Sequence, residues 1–341
     1  MKNYKIDLRS DTMTIPTKDM LDCMISAKVG DDVWEEDETV KNLERLIAKS
    51  FQHESALFCP SGTMTNQIAI RVHTKLGDEL ICDKLSHIYN YEAGGISSNS
   101  GVSTKLIDGH YGRIDRDMID SSINTDDVHF PRTKLVCLEN TVNKGGGTCY
   151  DIERIKEISK LCKQKKLGLH LDGARIFNAI VAKSHQPSDY GKLFDSISVC
   201  LSKGLGAPIG SLLIGSHDFI NESRRVRKSF GGGMRQAGYL AAAGIYALSN
   251  NVKRLKKDHD KAQFIGECLS SLKYVKNIRP VETNIVLFDL EDSYLEKFKR
   301  KMFEKNILYS FMAKNSVRFV THLNFSENDL EKLIKVLKSL N

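Results

Sequence analysis

The spacing of hydrophobic residues along the chain predicts alternating strands and helices. Segments such as 39–51 and 151–166 repeat apolar residues every three or four positions, which is typical of amphipathic helices. The predicted buried strands are 56–59, 80–82, 102–107, 134–138, 167–171 and 197–201. A strand–helix–strand order of this kind predicts an α/β fold with a mostly parallel sheet that is sandwiched by helices.

The alternation of strands and helices ends near residue 250. A long helical region, about 235–270, leads away from the predicted sheet, and short strands then precede a last helix at 327–340. With 341 residues, the chain is long enough for two domains. We predict a large domain at 1–250, which includes an N-terminal arm at 1–15, and a small C-terminal α+β domain at 251–341.

Composition and charge narrow the classes of function. A hydrophobic content of 41% and a charged content of 27% are those of an ordinary globular protein. The net charge of +7 suits an anionic small ligand or nucleic acid, but lysines alternate with acidic residues along the predicted helices, which favours solvated surfaces. We therefore expect no nucleic-acid partner. No apolar run approaches the ~20 residues of a membrane span, so we expect no membrane partner either.

The cysteines and the N-terminus indicate a location. The eight cysteines are scattered singly and form no CxxC pair, which argues against a zinc site or a redox motif. We expect reduced core thiols and no bound metal. The first residues, MKNYKIDLRSDT, are too polar for a signal peptide, so the sequence predicts a cytoplasmic protein.

Lys203 lies between two apolar runs, 197–201 and 211–214, in a turn that is rich in glycine. Burying an ammonium group is costly, so a lysine at the end of a core strand needs an explanation. One explanation is chemical, because a desolvated lysine can form a Schiff base with an aldehyde cofactor. The other is that the side chain extends from the strand end into water. This stretch alone leaves both explanations open.

Four polar clusters directly follow predicted strands: residues 61–63, Glu139, Asp172 and Lys203. Ligands of parallel α/β sheets bind outside the carboxyl ends of the strands. Ser-Gly-Thr at 61–63 precedes a helix and suits a phosphate, although many such loops bind none, and Glu139 could equally cap its own loop. A carboxylate such as Asp172 can keep a pyridine nitrogen protonated, and the flat ring of His87 could stack on that pyridine.

These residues resemble the site of the fold-type-I enzymes that use pyridoxal 5'-phosphate (PLP). More narrowly, motifs along nearly the whole chain resemble the L-threonine aldolases of the β-eliminating lyase group. The motifs are IDLRSDTMT (6–14), VGDDVWEEDETV (29–40), SGTMTN (61–66), SHIYNYEAGG (86–95), HLDGARIFNA (170–179), CLSKGLGAPIGSLLIG (200–215), RKSFGGGMRQAG (227–238), TNIVLF (283–288) and RFVTHLN (318–324). The resemblance implies the type-I PLP-transferase fold and PLP as the cofactor.

The resemblance also implies roles for individual residues at the cofactor. Lys203 would carry the cofactor as a Schiff base, and Asp172 would pair with the pyridine nitrogen. His87 would stack on the ring and is the first candidate for the base that takes the substrate's hydroxyl proton. Gly62 and Thr63 would bind the phosphate.

Further roles implied by the resemblance concern the substrate and a neighbouring subunit. Arg175 would lie near the cofactor's phenolic oxygen and the substrate carboxylate, which Ser10 and Arg318 would hold. Lys228 and Arg235 would reach the phosphate from a neighbouring subunit. The resemblance thus implies a homo-oligomer, a dimer of dimers, with shared active sites.

Two positions depart from the family pattern, and one histidine keeps two interpretations. Trp34 stands where the family usually has a tyrosine at the pocket mouth, contributed by a neighbour, and Val142 stands where it often has a histidine. Both changes bear on side-chain preference rather than on the cofactor. His129 resembles a second pocket imidazole that could share the proton transfer, but it could equally be a surface histidine.

The implied activity is cleavage of L-threonine or L-allo-threonine to glycine and acetaldehyde. Such a lyase would break the Cα–Cβ bond and would serve threonine catabolism and glycine synthesis. Two alternatives stay open. One is a related PLP lyase that acts on another β-hydroxy or β-substituted amino acid, by β-elimination or by cleavage of phenylserine-like substrates. The other is a non-catalytic protein with the PLP fold, against which the set of Lys203, Asp172, His87 and Arg318 argues.

Overall fold

The computed structural model describes residues 6–340. The helices are α1 (Lys18–Ile25), α2 (Glu38–Phe51), α3 (Gly62–His73), α4 (His87–Asn90), α5 (Gly95–Ser100), α6 (Arg116–Asp120), α7 (Ile152–Lys165), α8 (Ile176–Lys183), α9 (Pro187–Gly191), α10 (His217–Ser229), α11 (Gly238–Asn250), α12 (Leu255–Ser270), α13 (Leu295–Glu304) and α14 (Glu327–Lys338). The strands are β1 (Ile6–Asp7), β2 (Ser55–Cys59), β3 (Glu79–Asp83), β4 (Ser103–Ile107), β5 (Thr133–Glu139), β6 (Gly168–Gly173), β7 (Ser196–Cys200), β8 (Ser211–Gly215), β9 (Val275–Ile278), β10 (Ile285–Leu290), β11 (Ile307–Leu308), β12 (Ser310–Ala313) and β13 (Ser316–Val320).

A seven-stranded sheet forms the centre of the larger part of the chain, in the order β2-β8-β7-β6-β5-β3-β4. Strands β3 to β7 pair in parallel, and only β8 runs antiparallel to its neighbours β7 and β2. The mostly parallel sheet predicted from the sequence is therefore confirmed. In the register, Asp172 lies beside Glu139 on one side and beside Ser198 on the other. The carboxyl ends of β5, β6 and β7 consequently share one edge of the sheet.

Helices cover the sheet because one face of each is apolar. In α2, Val40, Leu43, Ile47 and Phe51 recur at helical spacing and are almost fully buried. The carboxylate of Asp37 caps this helix by accepting hydrogen bonds from the backbone N–H groups of residues 39 and 40, both at 3.1 Å. Within residues 6–340, no helix has the length and apolar character needed to cross a bilayer.

The C-terminal part is a separate antiparallel sheet of four strands, in the order β12-β13-β10-β9. Its core is rich in aromatic rings, among them Phe288, Phe298 and Phe319, whose ring centroids lie 5.2 to 6.5 Å apart. Helix α12 contributes to this core, whereas α11 packs in the core of the large sheet. The single helical region predicted at 235–270 is therefore two helices. The domain boundary at residue 250 stays a prediction, and it falls at the end of α11.

The N-terminal arm, which was predicted as part of the large domain, contacts both parts of the chain. β1 pairs in parallel with β11, and Ile6 and Leu8 are buried in the core of the C-terminal part. A few residues later, Asp11 is fully buried and pairs with Arg175, which directly precedes α8 of the large part. The arm therefore links the two cores, a role that its short polar sequence does not reveal.

Replacing Leu8 with alanine tests this docking of the arm. Leu8 has no exposed surface, so Leu8→Ala should lower the free energy of unfolding by about 2–5 kcal/mol, through lost burial and the cavity left behind. Ile15→Ala is the matched control, because the Ile15 side chain is 66% exposed on the same arm, and it should change stability by less than about 0.5 kcal/mol. Chemical denaturation of both variants measures the difference. Equal stability of the two would contradict the docked arm.

Candidate active site

Asp172 and Lys203 lie at the same edge of the large sheet. Asp172 is near the carboxyl end of β6 and is only 3% exposed. Lys203 follows the carboxyl end of the neighbouring strand β7, and its Nζ lies 3.6 Å from Cys200 Sγ. The carbonyl group of Lys203 accepts hydrogen bonds from Thr14 Oγ1 at 3.1 Å and from the backbone N–H of Gly206 at 2.8 Å. The lysine is therefore held at a structured turn beside a buried carboxylate.

The carboxylate of Asp172 is oriented by hydrogen bonds from both sides. Asn66 Nδ2 donates to Oδ2 at 2.9 Å, and the backbone N–H of Ala174 donates to Oδ1 at 3.1 Å. Asn66 also donates to Glu92 Oε1 at 2.9 Å, and Gln67 Nε2 donates to Glu92 Oε2 at 2.7 Å. We did not predict Asn66 or Glu92 as site residues. The available signal was their position inside SGTMTN (61–66) and SHIYNYEAGG (86–95), two motifs that also carry predicted site residues.

His87 is held over this edge through its backbone and its ring. Its backbone N–H donates to Glu139 Oε2 at 2.7 Å, and its Nδ1 lies 2.9 Å from Glu92 Oε1. Burial alone would lower the pKa of His87, but the hydrogen bond to Glu92 and the charges of Asp172, Glu92 and Glu139 outweigh burial and raise that pKa above its usual 6.5. His87 therefore takes up a proton more readily than a free histidine.

Glu139 supports the loop that carries His87. Its two carboxylate oxygens accept hydrogen bonds from the backbone N–H groups of His87 and Asn143, at 2.7 and 2.8 Å. Burial, and then the nearby charge of Asp172, raises the pKa of Glu139 to about 7. The interpretation of Glu139 as a cap of its own loop agrees with these contacts, and the same carboxylate also fixes a second loop.

His87, Glu92 and Asp172 are close enough to be considered as cation ligands, since their ligand atoms lie within 4.8 Å of one another. The amide of Asn66 argues against a cation here. Its N–H groups donate to one oxygen of each carboxylate, so they occupy oxygens that a cation would need as ligands, while the carboxylates keep their negative charge. The acceptors and donors are better suited to an organic ring bearing a protonated nitrogen.

The start of α3 offers backbone N–H groups for an anion. Gly62 and Thr63 occupy its first turn, where amides lack helical partners, and Ser61 caps it by accepting a hydrogen bond from the N–H of residue 64 at 3.2 Å. Cys200 Sγ lies 2.5 Å from where a Cβ on Gly62 would stand, so a larger residue at position 62 would force Cys200 to move. Among the described residues, the hydroxyl of Ser211 nearby is buried without a hydrogen-bond partner. This corner can accept a phosphate.

Arg175 is engaged by a carboxylate that the sequence analysis did not single out. Its Nε and Nη2 donate to the two oxygens of Asp11 at 2.8 and 2.7 Å, and Asn284 donates to Asp11 Oδ2 at 3.2 Å. Although burial opposes it, the guanidinium of Arg175 and the charge of Lys203 hold the pKa of Asp11 well below its usual range. Asp11 thereby fixes Arg175 beside the lysine.

Arg318 has a hydrogen-bond donor that is unused among the described residues. Its Nη1 donates to Asn143 Oδ1 at 2.6 Å and its Nη2 donates to the carbonyl oxygen of Arg9 at 2.9 Å, while its buried Nε has no partner among the described residues. Burial and the charge of Arg175 lower the pKa of Arg318 to about 10. Ser10 follows Arg9 directly, so the backbone of Ser10 adjoins the carbonyl group that Arg318 contacts. A half-buried guanidinium that lacks an anion suits a substrate carboxylate.

Trp34, Lys228 and Arg235 gather elsewhere, on the surface. The side chain of Trp34 is 72% exposed, and Arg235 pairs with Asp31 at 2.8 Å. Trp34 and Lys228 line one groove together with Gly233. Within residues 6–340, no hydrogen bond or ion pair joins these three residues to Lys203, Asp172 or His87. Their predicted action at a neighbour's site therefore stays a prediction.

His129 lies away from this cluster in the same chain. It precedes β5 and so belongs to the amino-terminal edge of the sheet, whereas Glu139 ends the strand at the site. The seven residues of β5 span about 20 Å. The imidazole is 82% exposed and contacts Asp127 Oδ1 at 2.6 Å. Within one chain, His129 thus matches the interpretation as a surface histidine.

The chain matches the family model described as beta-eliminating lyase over residues 7–293. It is 42% identical to the low specificity L-threonine aldolase of Escherichia coli K12, over 96% of this chain and 97% of that protein. It is 41% identical to the low-specificity L-threonine aldolase 1 of Arabidopsis thaliana, over 95% of this chain and 93% of that protein.

Solved structures agree on the fold. A threonine aldolase from Leishmania major superposes with a TM-score of 0.87 at 22% identity, covering 98% of this chain and 99% of that one. A protein described as a putative L-allo-threonine aldolase from Listeria monocytogenes gives a TM-score of 0.83 at 22% identity, with 100% and 97% coverage. With Lys203, Asp172 and the start of α3 suited to the cofactor, the chain belongs to the beta-eliminating lyase family, whose enzymes use pyridoxal phosphate.

Proposed function

We propose that this protein is a PLP-dependent L-threonine aldolase, a lyase that cleaves L-threonine or L-allo-threonine to glycine and acetaldehyde. One observation carries the proposal: Lys203, Asp172 and His87 converge at one sheet edge in a chain 42% identical to the E. coli low specificity enzyme. The half-buried, incompletely paired Arg318 supports an amino-acid substrate, because it supplies a partner for the α-carboxylate.

Lys203, Asp172, Gly62 and Thr63 would hold the cofactor. When bound, PLP withdraws electrons from the bond that breaks at the substrate's α-carbon. The carboxylate of Asp172 would hold a proton on the pyridine nitrogen, which keeps the ring electron-poor. The first amides of α3 would bind the phosphate. Lys203 would hold the aldehyde carbon covalently between turnovers.

Arg318 would orient the substrate by its carboxylate, with Ser10 beside it. Its Nη groups are fixed by Asn143 and by the carbonyl of Arg9, so the fork is rigid before the substrate arrives. Arg175 is occupied by Asp11 through two of its nitrogens. We therefore assign carboxylate binding mainly to Arg318, and to Arg175 a place near the cofactor's phenolic oxygen and the substrate carboxylate.

His87 would take the proton of the substrate's β-hydroxyl group. Its Nδ1 is used by Glu92, which leaves Nε2 for a proton from the substrate or from a water. His129 could act only at the site of another copy of the chain, given its place at the opposite edge. Trp34 and Val142 would tune the preference among side chains.

Product analysis distinguishes this proposal from its alternatives. The PLP-loaded protein should convert L-threonine and L-allo-threonine to glycine and acetaldehyde in equal amounts. Ammonia and 2-oxobutyrate would instead indicate β-elimination. Turnover of phenylserine to benzaldehyde without any turnover of threonine would favour the phenylserine lyase. No turnover of any β-hydroxy amino acid by a protein that binds PLP would favour the non-catalytic alternative.

Assembly and location complete the proposal. We infer a homo-oligomer, a dimer of dimers, in which Trp34, Lys228 and Arg235 of one chain reach the phosphate side of a neighbour's site. Their exposure in the single chain supports this arrangement. We also infer a cytoplasmic enzyme, supported by eight free cysteines, most of them buried, that a reducing compartment would preserve.

Lys203→Ala tests the covalent attachment. The variant should fold and keep a weakened affinity for PLP through the phosphate site, but it should lose the visible absorption band of the lysine-bound cofactor. Lys192→Ala is the control, since Lys192 is an exposed lysine remote from the turn, and its spectrum should equal that of the wild type. Borohydride reduction followed by peptide mapping identifies the modified lysine. A label on any other lysine would overturn the assignment.

The pH profile tests the role of His87. A base acts in its neutral form, and the pKa of His87 is raised, so kcat/KM for L-threonine should fall as pH drops through a midpoint above 6.5. His87→Phe keeps a flat ring without nitrogens. It should lose less than about 10³-fold in kcat, because water can partly substitute, and its kcat/KM should no longer show this fall at low pH, the acid limb of the profile. Glu139→Gln should retain the acid limb. A limb that survives in His87→Phe and disappears in Glu139→Gln would assign the titration to Glu139.

Subunit complementation tests the shared site. Lys203→Ala and Arg235→Ala chains should each be impaired, and their hybrid should regain activity because one of its two sites then contains both residues. Lys203→Ala mixed with Asp172→Ala is the control, since those two residues belong to one chain's site and no hybrid site is intact. No recovery in the first mixture, despite subunit exchange shown by mass spectrometry, contradicts the shared site.

A further inference from the structure

Asn66 stands at the junction of the buried polar groups behind the active site. It lies on α3, is 2% exposed, and contacts three different side chains: Asp172, Glu92 and His170. None of these contacts is local in the sequence. An amide that joins two buried carboxylates to a buried imidazole has more than a packing role, because each partner would be costly to leave unpaired.

The partners dictate which way the amide faces. Carboxylates only accept hydrogen bonds, so both of their contacts must come from the NH₂ group of Asn66, one to Asp172 and one to Glu92. The amide oxygen therefore faces His170, whose Nε2 lies 3.1 Å away. An oxygen acceptor requires a proton on that nitrogen. The orientation of Asn66 and the tautomer of His170 are thus set together.

Two further hydrogen bonds connect His170 to Ser196 and then to His73. A neutral imidazole that is protonated at Nε2 accepts at Nδ1, which lies 2.8 Å from Ser196 Oγ, so the serine hydroxyl donates there. Ser196 Oγ then accepts from His73 Nε2 at 2.7 Å. Every donor from His73 to Asp172 points the same way. Burial, helped by His73, lowers the pKa of His170 to about 3, which agrees with a neutral ring.

We propose that Asn66 is a positioning residue for the cofactor's pyridine nitrogen: it holds Asp172 in the orientation that receives the protonated ring nitrogen, and it links Asp172 to Glu92 and so to the ring of His87. The relay His73–Ser196–His170 keeps the amide from flipping. This inference rests on the proposed PLP site, but not on threonine as the substrate.

A flipped amide would place its oxygen against Asp172 and Glu92, and its NH₂ group against the protonated Nε2 of His170. Both contacts would be repulsive. The relay excludes the flipped amide and so keeps the carboxylates of Asp172 and Glu92 hydrogen-bonded beside the pyridine ring. The amide is neutral, so it adds no positive charge that would compete with the proton on the pyridine nitrogen.

Histidine NMR provides the first test, on the wild-type protein with PLP and without substrate. In ¹⁵N-histidine-labelled protein, His170 should be neutral with its proton on Nε2 between pH 6 and 8, and its signals are identified by their absence in His170→Asn. A proton on Nδ1 of His170 would remove its bond to the amide oxygen and overturn the proposal. Because no turnover is involved, this result is independent of the proposed aldolase activity.

Asn66→Leu provides the second test, since leucine has a similar shape and no amide. The Kd for PLP should rise by about 10-fold or more, because Asp172 loses the hydrogen bond that orients it toward the pyridine nitrogen. The ¹⁵N resonance of labelled PLP should shift toward the unprotonated pyridine. Gln67→Leu is the matched control, because Gln67 is the next residue of α3 and donates to Glu92 but not to Asp172. Its pyridine resonance should equal that of the wild type.

Two outcomes of the second test contradict the proposal. One is a protonated pyridine and an unchanged Kd in Asn66→Leu. The other is an equal shift in Asn66→Leu and Gln67→Leu, which would mean that both residues only stabilise the fold around Glu92. If Asn66→Leu fails to fold, the tautomer of His170 in the wild-type protein decides whether the proposal holds.

Discussion

The structure depends on keeping the carboxyl groups of Asp172, Glu139 and Glu92 buried at one edge of a parallel sheet. The strand register places Asp172 directly beside Glu139, and the α4 region brings Glu92 to the same place. Buried carboxylates are tolerated only when donors satisfy them. Here the donors are the amide of Asn66, the side chain of Gln67, the ring of His87 and backbone N–H groups. This arrangement makes the edge a receptor for a cation-like group.

The buried carboxyl groups also explain how this edge of the sheet would bind its ligand. A negative edge would attract a protonated ring nitrogen, while the lysine on the next strand would meet the carbonyl carbon of the same ligand. Arg318 has the opposite charge: its half-buried guanidinium lacks a full set of hydrogen-bond partners and would attract a carboxylate. The site thus has a negative group, Asp172, for the pyridine nitrogen of PLP and a positive group, Arg318, for the carboxylate of the amino acid. Asp172 lies in the large sheet and Arg318 in the C-terminal sheet, and the N-terminal arm connects the cores of the two.

The sheet was predictable because the strands left local signals, whereas the cofactor was predicted only from the resemblance of many motifs to a known family. Apolar runs marked the strands, and Asp172 and Lys203 followed strands directly. Asn66 and Asp11 left no comparable signal, since their importance lies in contacts 106 and 164 positions away along the chain. His129 kept two interpretations in the sequence, as a pocket imidazole and as a surface histidine, and only the structure shows that the loop carrying it lies at the other end of β5 within one chain. The docking of the arm onto the C-terminal core was likewise invisible, since β1 has only two residues.

The most direct test of this account is a crystal structure of the protein with PLP and glycine. It should show the pyridine nitrogen within about 3 Å of an oxygen of Asp172, a hydrogen-bond distance, with Asn66 still bonded to Asp172. It should also show the His87 ring over the pyridine and the glycine carboxylate on Arg318. A cofactor whose nitrogen points away from Asp172, or whose phosphate lies at that carboxylate, would contradict the account.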